Sequence, residues 1–178
     1  MGDIDHVFVD DMLKLFKGEL CVDTNRIFCS GFSFGAMFTY SLSTDKQKQF
    51  RAFACYAPAN WNIWLPTDKH LPVAYMSTTG MDDPNCQLVH DSTLQQGGRY
   101  CALGHAKDNG CIIPATLPTT TSGSKKHLIY DFLGGLFPVK FCTFDGAHQC
   151  YVVDGTSGTD DMTKSWIPGE TWKFFTQF

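Results

Sequence analysis

Arg26-Ile27-Phe28-Cys29-Ser30-Gly31-Phe32-Ser33-Phe34-Gly35-Ala36-Met37 reads as a short apolar strand, a Gly31-Phe32-Ser33-Phe34-Gly35 turn, and a segment able to start a helix. A serine placed at so sharp a turn projects its Oγ clear of both backbones. Glycines two residues to either side admit the close approach of strand and helix that such a turn demands. Ala36 keeps the first helical turn small for the same reason. The G-x-S-x-G spacing alone arises by chance in many chains. Here an Arg-Ile-Phe-Cys lead-in and an Ala-Met-Phe-Thr-Tyr run supply the strand and helix it requires. Ser33 is the candidate nucleophile, weighed against an ordinary Gly/Ser turn.

Working outward, Asp3 or Asp5 can cap a helix carrying Val7, Phe8, Met12, Leu13, Leu15 and Phe16, with Gly18 as its stop. Residues 21–25 form a turn, and the helix after Ser33 ends near residues 43–45. Residues 49–56 read as a buried strand, 71–77 as another, and 127–133 and 138–144 as two strands joined across Gly134-Gly135. A helix across 87–96 is expected, followed by an irregular stretch holding Cys101 and Cys111. Residues 116–124, rich in Thr, Ser and Pro, are exposed loop. Pro168 opens a last helix through Trp172, Phe174 and Phe175. Alternating helices and strands imply an α/β fold with a mostly parallel sheet and helices on both faces.

At 178 residues, 43% of them hydrophobic and 18% charged, the chain is the size of one domain with a substantial core. A net charge of −4, with no Lys/Arg cluster, argues against a nucleic-acid partner. No apolar run approaches the ~20 residues that cross a bilayer, so no membrane partner is expected. Eight cysteines without a C-x-x-C pair favour disulfides and a secreted setting. The acidic start Met1-Gly2-Asp3-Ile4-Asp5 has no apolar signal core. The expectation is that a signal was removed or that the chain starts inside a longer precursor.

An activated serine needs a base to take its proton and an acid to orient and charge-stabilise that base. Past the 71–77 strand lie Asp82 and Asp83, and past the 138–144 strand lies His148 beside the small Gly146 and Ala147. The order Ser, Asp, His, each just beyond a strand's carboxyl end, is that of α/β-hydrolases, and ligands of open α/β sheets bind at those ends. His148 is the candidate base, Asp83 the preferred acid with Asp82 as alternative, and the Phe34 N–H the candidate oxyanion donor. Trp61 and Trp64, in the loop after the second strand, are candidate substrate-binding residues. Packing of that loop on the core is the competing explanation for both.

Val22-Asp23-Thr24-Asn25-Arg26-Ile27 leading into Gly31-Phe32-Ser33-Phe34-Gly35-Ala36-Met37 resembles carbohydrate esterase family one, which includes feruloyl esterases, acetylxylan esterases and polyhydroxybutyrate depolymerases. Gly80-Met81-Asp82-Asp83-Pro84 resembles that family's acid loop and aligns its catalytic Asp with Asp83. Gly146-Ala147-His148 resembles its base loop. The cysteine-rich middle and the aromatic content look most like fungal feruloyl esterases. The resemblance implies a secreted α/β-hydrolase that cleaves esters on plant cell-wall polysaccharide through an acyl-enzyme, without cofactor or metal. It also implies several strands and a Gly-rich oxyanion loop ahead of the serine, which residues 1–25 do not hold. The expected domain, 1–178, is therefore an α/β-hydrolase that lacks the first strands, the C-terminal part of a longer catalytic domain.

Two disulfides have local logic: Cys29 with Cys150, fixing the base loop, and Cys101 with Cys111, closing the irregular stretch. Cys29, Cys55 and Cys142 are equally candidates for free core thiols. A metal set drawn from Cys86, His90, Cys101, His105 and Cys111 has i, i+4 pairs, but its Gly and Asn neighbours read as loop. A non-catalytic carbohydrate-binding domain, with the tryptophans as platform, is the rival of a different class.

Overall fold

The computed structural model describes residues 2–154 and 160–178. Its core is a five-stranded sheet of β1 (Phe28–Phe32), β2 (Ala52–Tyr56), β3 (Ala74–Gly80), β4 (His127–Asp131) and β5 (Val139–Phe144) in the order β1-β2-β3-β5-β4. The first four strands in that order run parallel, and β4 pairs antiparallel with β5 through the hairpin containing Gly134 and Gly135. β2 and β3 are almost wholly buried, as central strands of a two-sided parallel sheet must be.

Helices cover both faces. On one side α1 (Asp3–Glu19), α2 (Phe34–Asp45) and α3 (Gly98–Asp108) close over Phe53, Cys55, Tyr75, Val139 and Phe141. On the other, α4 (Ile167–Phe175) drives Phe174 against Ala52, Ala54, Met76 and Cys142. The alternation along each strand divides these two sets, Phe53, Cys55 and Tyr75 to one face and Ala52, Ala54 and Met76 to the other.

Several boundaries differ from the sequence expectation. The stretch 87–96 is not helical; it is a series of turns closed by a bridge between Asp91 and Gln96. The helix lies further on, at Gly98–Asp108, in the stretch expected to be irregular. Its buried side is made of Cys101, Ala102, His105 and Ala106, small or polar residues that give little periodic hydrophobic signal. α1 has Gly2 rather than an aspartate as its N-cap and runs past Gly18 to Glu19. It buries His6, Val9 and Leu13 and leaves Ile4, Val7, Phe8 and Leu15 facing solvent.

All eight cysteines lie within the described residues and all are free thiols, which corrects the disulfide expectation. Cys29 Sγ sits 3.7 Å from Thr39 Oγ1, and Cys101 is fully buried inside α3's contact with the sheet.

Candidate active site

Ser33 closes the step from β1 into α2 with φ 56° and ψ −121°, a strained conformation for a residue with a side chain. Its N–H donates to the Tyr56 carbonyl (2.9 Å), anchoring the turn to β2. A Cβ on Gly31 would stand 2.4 Å from the Gly35 carbonyl oxygen and 2.9 Å from Thr39 Oγ1, so only glycine lets the strand pass this close to the helix. Gly35 differs from expectation, because a Cβ there would meet open space. The tight approach falls on Gly31 alone.

The acid and base loops are joined to each other. Met81 N–H donates to the Phe144 carbonyl (2.9 Å) and Asp82 N–H to the Gly146 carbonyl (3.0 Å). At their crossing, a Cβ on Gly80 would lie 2.3 Å from the Ala147 carbonyl oxygen. Asp83 and His148 thus hang from one rigid junction at the carboxyl ends of β3 and β5.

The three candidates meet there. Ser33 Oγ–H donates to His148 Nε2 at 2.7 Å, and His148 Nδ1–H donates to Asp83 Oδ2 at 2.8 Å. The Asp83 side chain is wholly buried, and its Oδ1 accepts the N–H groups of Asn85 and Cys86 (both 2.8 Å). The neighbouring Asp82 points away and accepts from Ser122 Oγ (2.7 Å). Phe34 opens α2, and the N–H groups of a helix's first turn have no intrahelical partner, so its amide is free to face an incoming anion.

Sequence reading overlooked Phe32, whose ring lies 4.8 Å from the His148 imidazole and braces it. Its signal was its place immediately before the serine. The two tryptophans part company. Trp61 packs with Phe32, Met37 and Cys86, close around the serine turn, and stacks on His90 at 3.9 Å. Trp64 packs edge-on to His6 at 5.0 Å, and its carbonyl accepts from Ser41 Oγ, near the far end of α2. That placement takes Trp64 off the rim where it was expected.

The cysteine–histidine metal set is not assembled, since His105 Nε2 donates to Ser43 Oγ (2.7 Å) inside the core and His90 stacks on Trp61. Burial pushes His105 down to about 3. Elsewhere, Asp68, His70 and Asp108 gather on the surface, and the hydrogen bond that His70 Nδ1–H donates to Asp108 Oδ1 holds the imidazole above its ordinary range. A cleft of about 710 Å³ lies at the amino end of β1 and β2, lined by Asp23, Arg26, Arg51 and Phe178, away from Ser33.

Fold and geometry together define an α/β protein with a serine–histidine–aspartate constellation at the carboxyl edge of its parallel sheet. Comparison with known proteins narrows the class. The chain is 32% identical over 174 residues to a probable feruloyl esterase C of Aspergillus clavatus, covering 98% of this chain and 58% of that protein. It is 30% identical over 171 residues to feruloyl esterase C of Emericella nidulans, covering 96% and 57%. A bifunctional acetylxylan esterase/xylanase of Neocallimastix patriciarum is 32% identical over 83 residues, 46% of this chain and 12% of that one. No family model matches the chain. The chain is feruloyl esterase-like, and it spans 57–58% of the length of these two feruloyl esterases.

Proposed function

We propose that the chain is the catalytic part of a serine carboxylesterase that removes acyl groups, feruloyl foremost, from plant cell-wall polysaccharide outside the cell. The observation that carries this reading is the unbroken hydrogen-bonded line from Ser33 Oγ through His148 to the buried Asp83 carboxylate.

In this mechanism Ser33 Oγ attacks the ester carbonyl while His148 Nε2 takes its proton. Asp83 holds the imidazole by Nδ1 and stabilises the imidazolium that forms. The Phe34 N–H donates to the oxyanion of the tetrahedral intermediate. His148 returns the proton to the departing sugar hydroxyl, leaving the acyl group on Ser33. A water, deprotonated by His148, then attacks the acyl-enzyme and releases the acid, restoring Ser33. Trp61 flanks the serine turn and supplies a flat apolar surface for the aromatic acyl group or a sugar ring. The likeness to an acetylxylan esterase supports a second reading, with acetyl in place of feruloyl.

The test is hydrolysis of methyl ferulate and p-nitrophenyl acetate by the chain beside Ser33→Ala. Turnover lost in Ser33→Ala, with ferulate preferred, is the expected result; acetate preferred supports the second reading. Absence of both turnover and serine-directed phosphonate labelling in a folded sample overturns the serine mechanism.

A further inference from the structure

A second cleft, of about 440 Å³, runs along α3 where the helix faces residues 113–117. That volume suits a ligand of a few sugar rings. Arg99, Leu103 and Lys107 recur every fourth residue and so share one helix face, the two cations about 12 Å apart along the axis. Leu103, Pro114 and Leu117 give the cleft an apolar floor, and Tyr100 adds an aromatic wall. Among the described residues, no carboxylate lines it. In a chain of net charge −4 this is a local concentration of positive charge.

Neither cation is spoken for. Among the described residues, Arg99 and Lys107 form no ion pair. Arg99 Nε is in addition shut away from solvent without a hydrogen-bond partner. Arg99 as a whole is only half-buried, and the terminal N–H groups of its guanidinium, which enter no ion pair, are the ones an anionic ligand would engage.

The cleft also joins the rim of the candidate active site. Asn60 donates from Nδ2 to the Gln95 carbonyl and accepts the Gly97 N–H at Oδ1, each at 2.9 Å. Gln95 lines the cleft, and the residue after Asn60 is Trp61, packed beside the serine turn. Asn60 thus ties the residue before Trp61 to the Gln95 end of the α3 cleft.

We infer that the α3 cleft is a subsite for a carboxylate-bearing sugar, a uronate carried by the same polysaccharide whose ester is presented to Ser33. The sugar's ring faces pack on Leu103 and Pro114 while its carboxylate is held by Arg99, with Lys107 taking a second carboxylate further along. The choice of a saccharide rests on the esterase reading; the anionic, two-cation character rests on the cleft itself.

Isothermal titration calorimetry tests this with a glucuronate-substituted xylo-oligosaccharide and its unsubstituted counterpart, on Ser33→Ala protein with and without Arg99→Gln plus Lys107→Gln. The acidic oligosaccharide is expected to bind more tightly than the neutral one, to weaken as salt rises, and to lose about tenfold or more with the double substitution. In the Ser33-containing protein the same pair leaves turnover of p-nitrophenyl acetate unchanged. Equal binding of the two oligosaccharides, or acidic binding untouched by the double substitution, overturns the subsite. So does displacement of the oligosaccharide by ferulate alone. Because the calorimetry needs no ester cleavage, a chain that binds but does not hydrolyse sinks the esterase reading and spares this one, and the reverse result sinks only the subsite.

Discussion

Asp83 Oδ2 accepts the Nδ1–H of His148 at 2.8 Å while its other oxygen accepts two backbone amides, and water reaches no part of the carboxylate. Asp82, one residue earlier, lies on the surface with Ser122. The two aspartates that sequence could only rank are thus separated by direction alone, successive side chains leaving a loop on opposite sides.

Asp83→Asn keeps the shape but turns the imidazole to the wrong tautomer, and is expected to lower kcat by about 10⁴. Asp82→Asn loses one exposed hydrogen bond and is expected to change kcat/KM less than about threefold. Steady-state hydrolysis of methyl ferulate by both variants checks this; equal losses would unseat Asp83 as the acid.

The elbow makes a prediction of its own. Gly31→Ala drives a methyl group into the Gly35 carbonyl and Thr39, and is expected to destabilise by about 1–3 kcal/mol. Gly35→Ala meets nothing and gains helix propensity, so stability is held or raised by up to about 1 kcal/mol. Urea denaturation of the two variants separates them. Similar losses in both would mean that the close approach is shared.

What could be read from the chain alone follows from where the signal is local. The apolar runs of β2 and β3, the serine turn and the loops just beyond β3 and β5 are set by neighbouring residues, and each was found near its place. α3 was missed because a helix packed by Cys101, Ala102 and Ala106 against the sheet needs small residues, and two glycines open it. Trp64 was misplaced because its site is made by His6, almost sixty residues away in sequence and brought near only by folding. The α3 cleft was invisible for the same reason, since its opposite wall comes from a separate loop.

His105 gives stability a pH dependence whose sign is fixed by its neighbours. Ser43 Oγ–H donates to the Tyr40 carbonyl, so Ser43 accepts from His105 Nε2–H, and the buried Nδ1 has no partner among the described residues. A second proton would be a charge in the core, which is why burial pushes the group down to about 3 from 6.5. The unfolded chain binds that proton from about 6.5 downward, the folded chain only near 3. This contribution to stability is therefore complete above about pH 6.5 and falls by about 1.4 kcal/mol per pH unit as pH drops toward 3. Urea unfolding at pH 7, 6, 5 and 4 should show His105→Gln lacking that slope. Parallel curves for the variant and the parent would mean that the imidazole is not the titrating group.

The thiols offer the last test, and it bears on the setting in which the protein works. Cys21 is exposed, whereas Cys55, Cys101 and Cys142 are fully buried. Burial pushes the Cys86 thiol up to about 11 and the Cys142 thiol up to about 12, and raises Cys55 and Cys101 as well. Alkylation follows the thiolate, so at pH 8 iodoacetamide is expected to modify Cys21 first and to leave Cys55, Cys101 and Cys142 untouched until denaturant is added. Peptide mass spectrometry of unreduced digests, before and after unfolding, reads this residue by residue. A Cys29–Cys150 or Cys101–Cys111 linked peptide would restore the disulfides expected from the sequence and replace the free-thiol arrangement at that site.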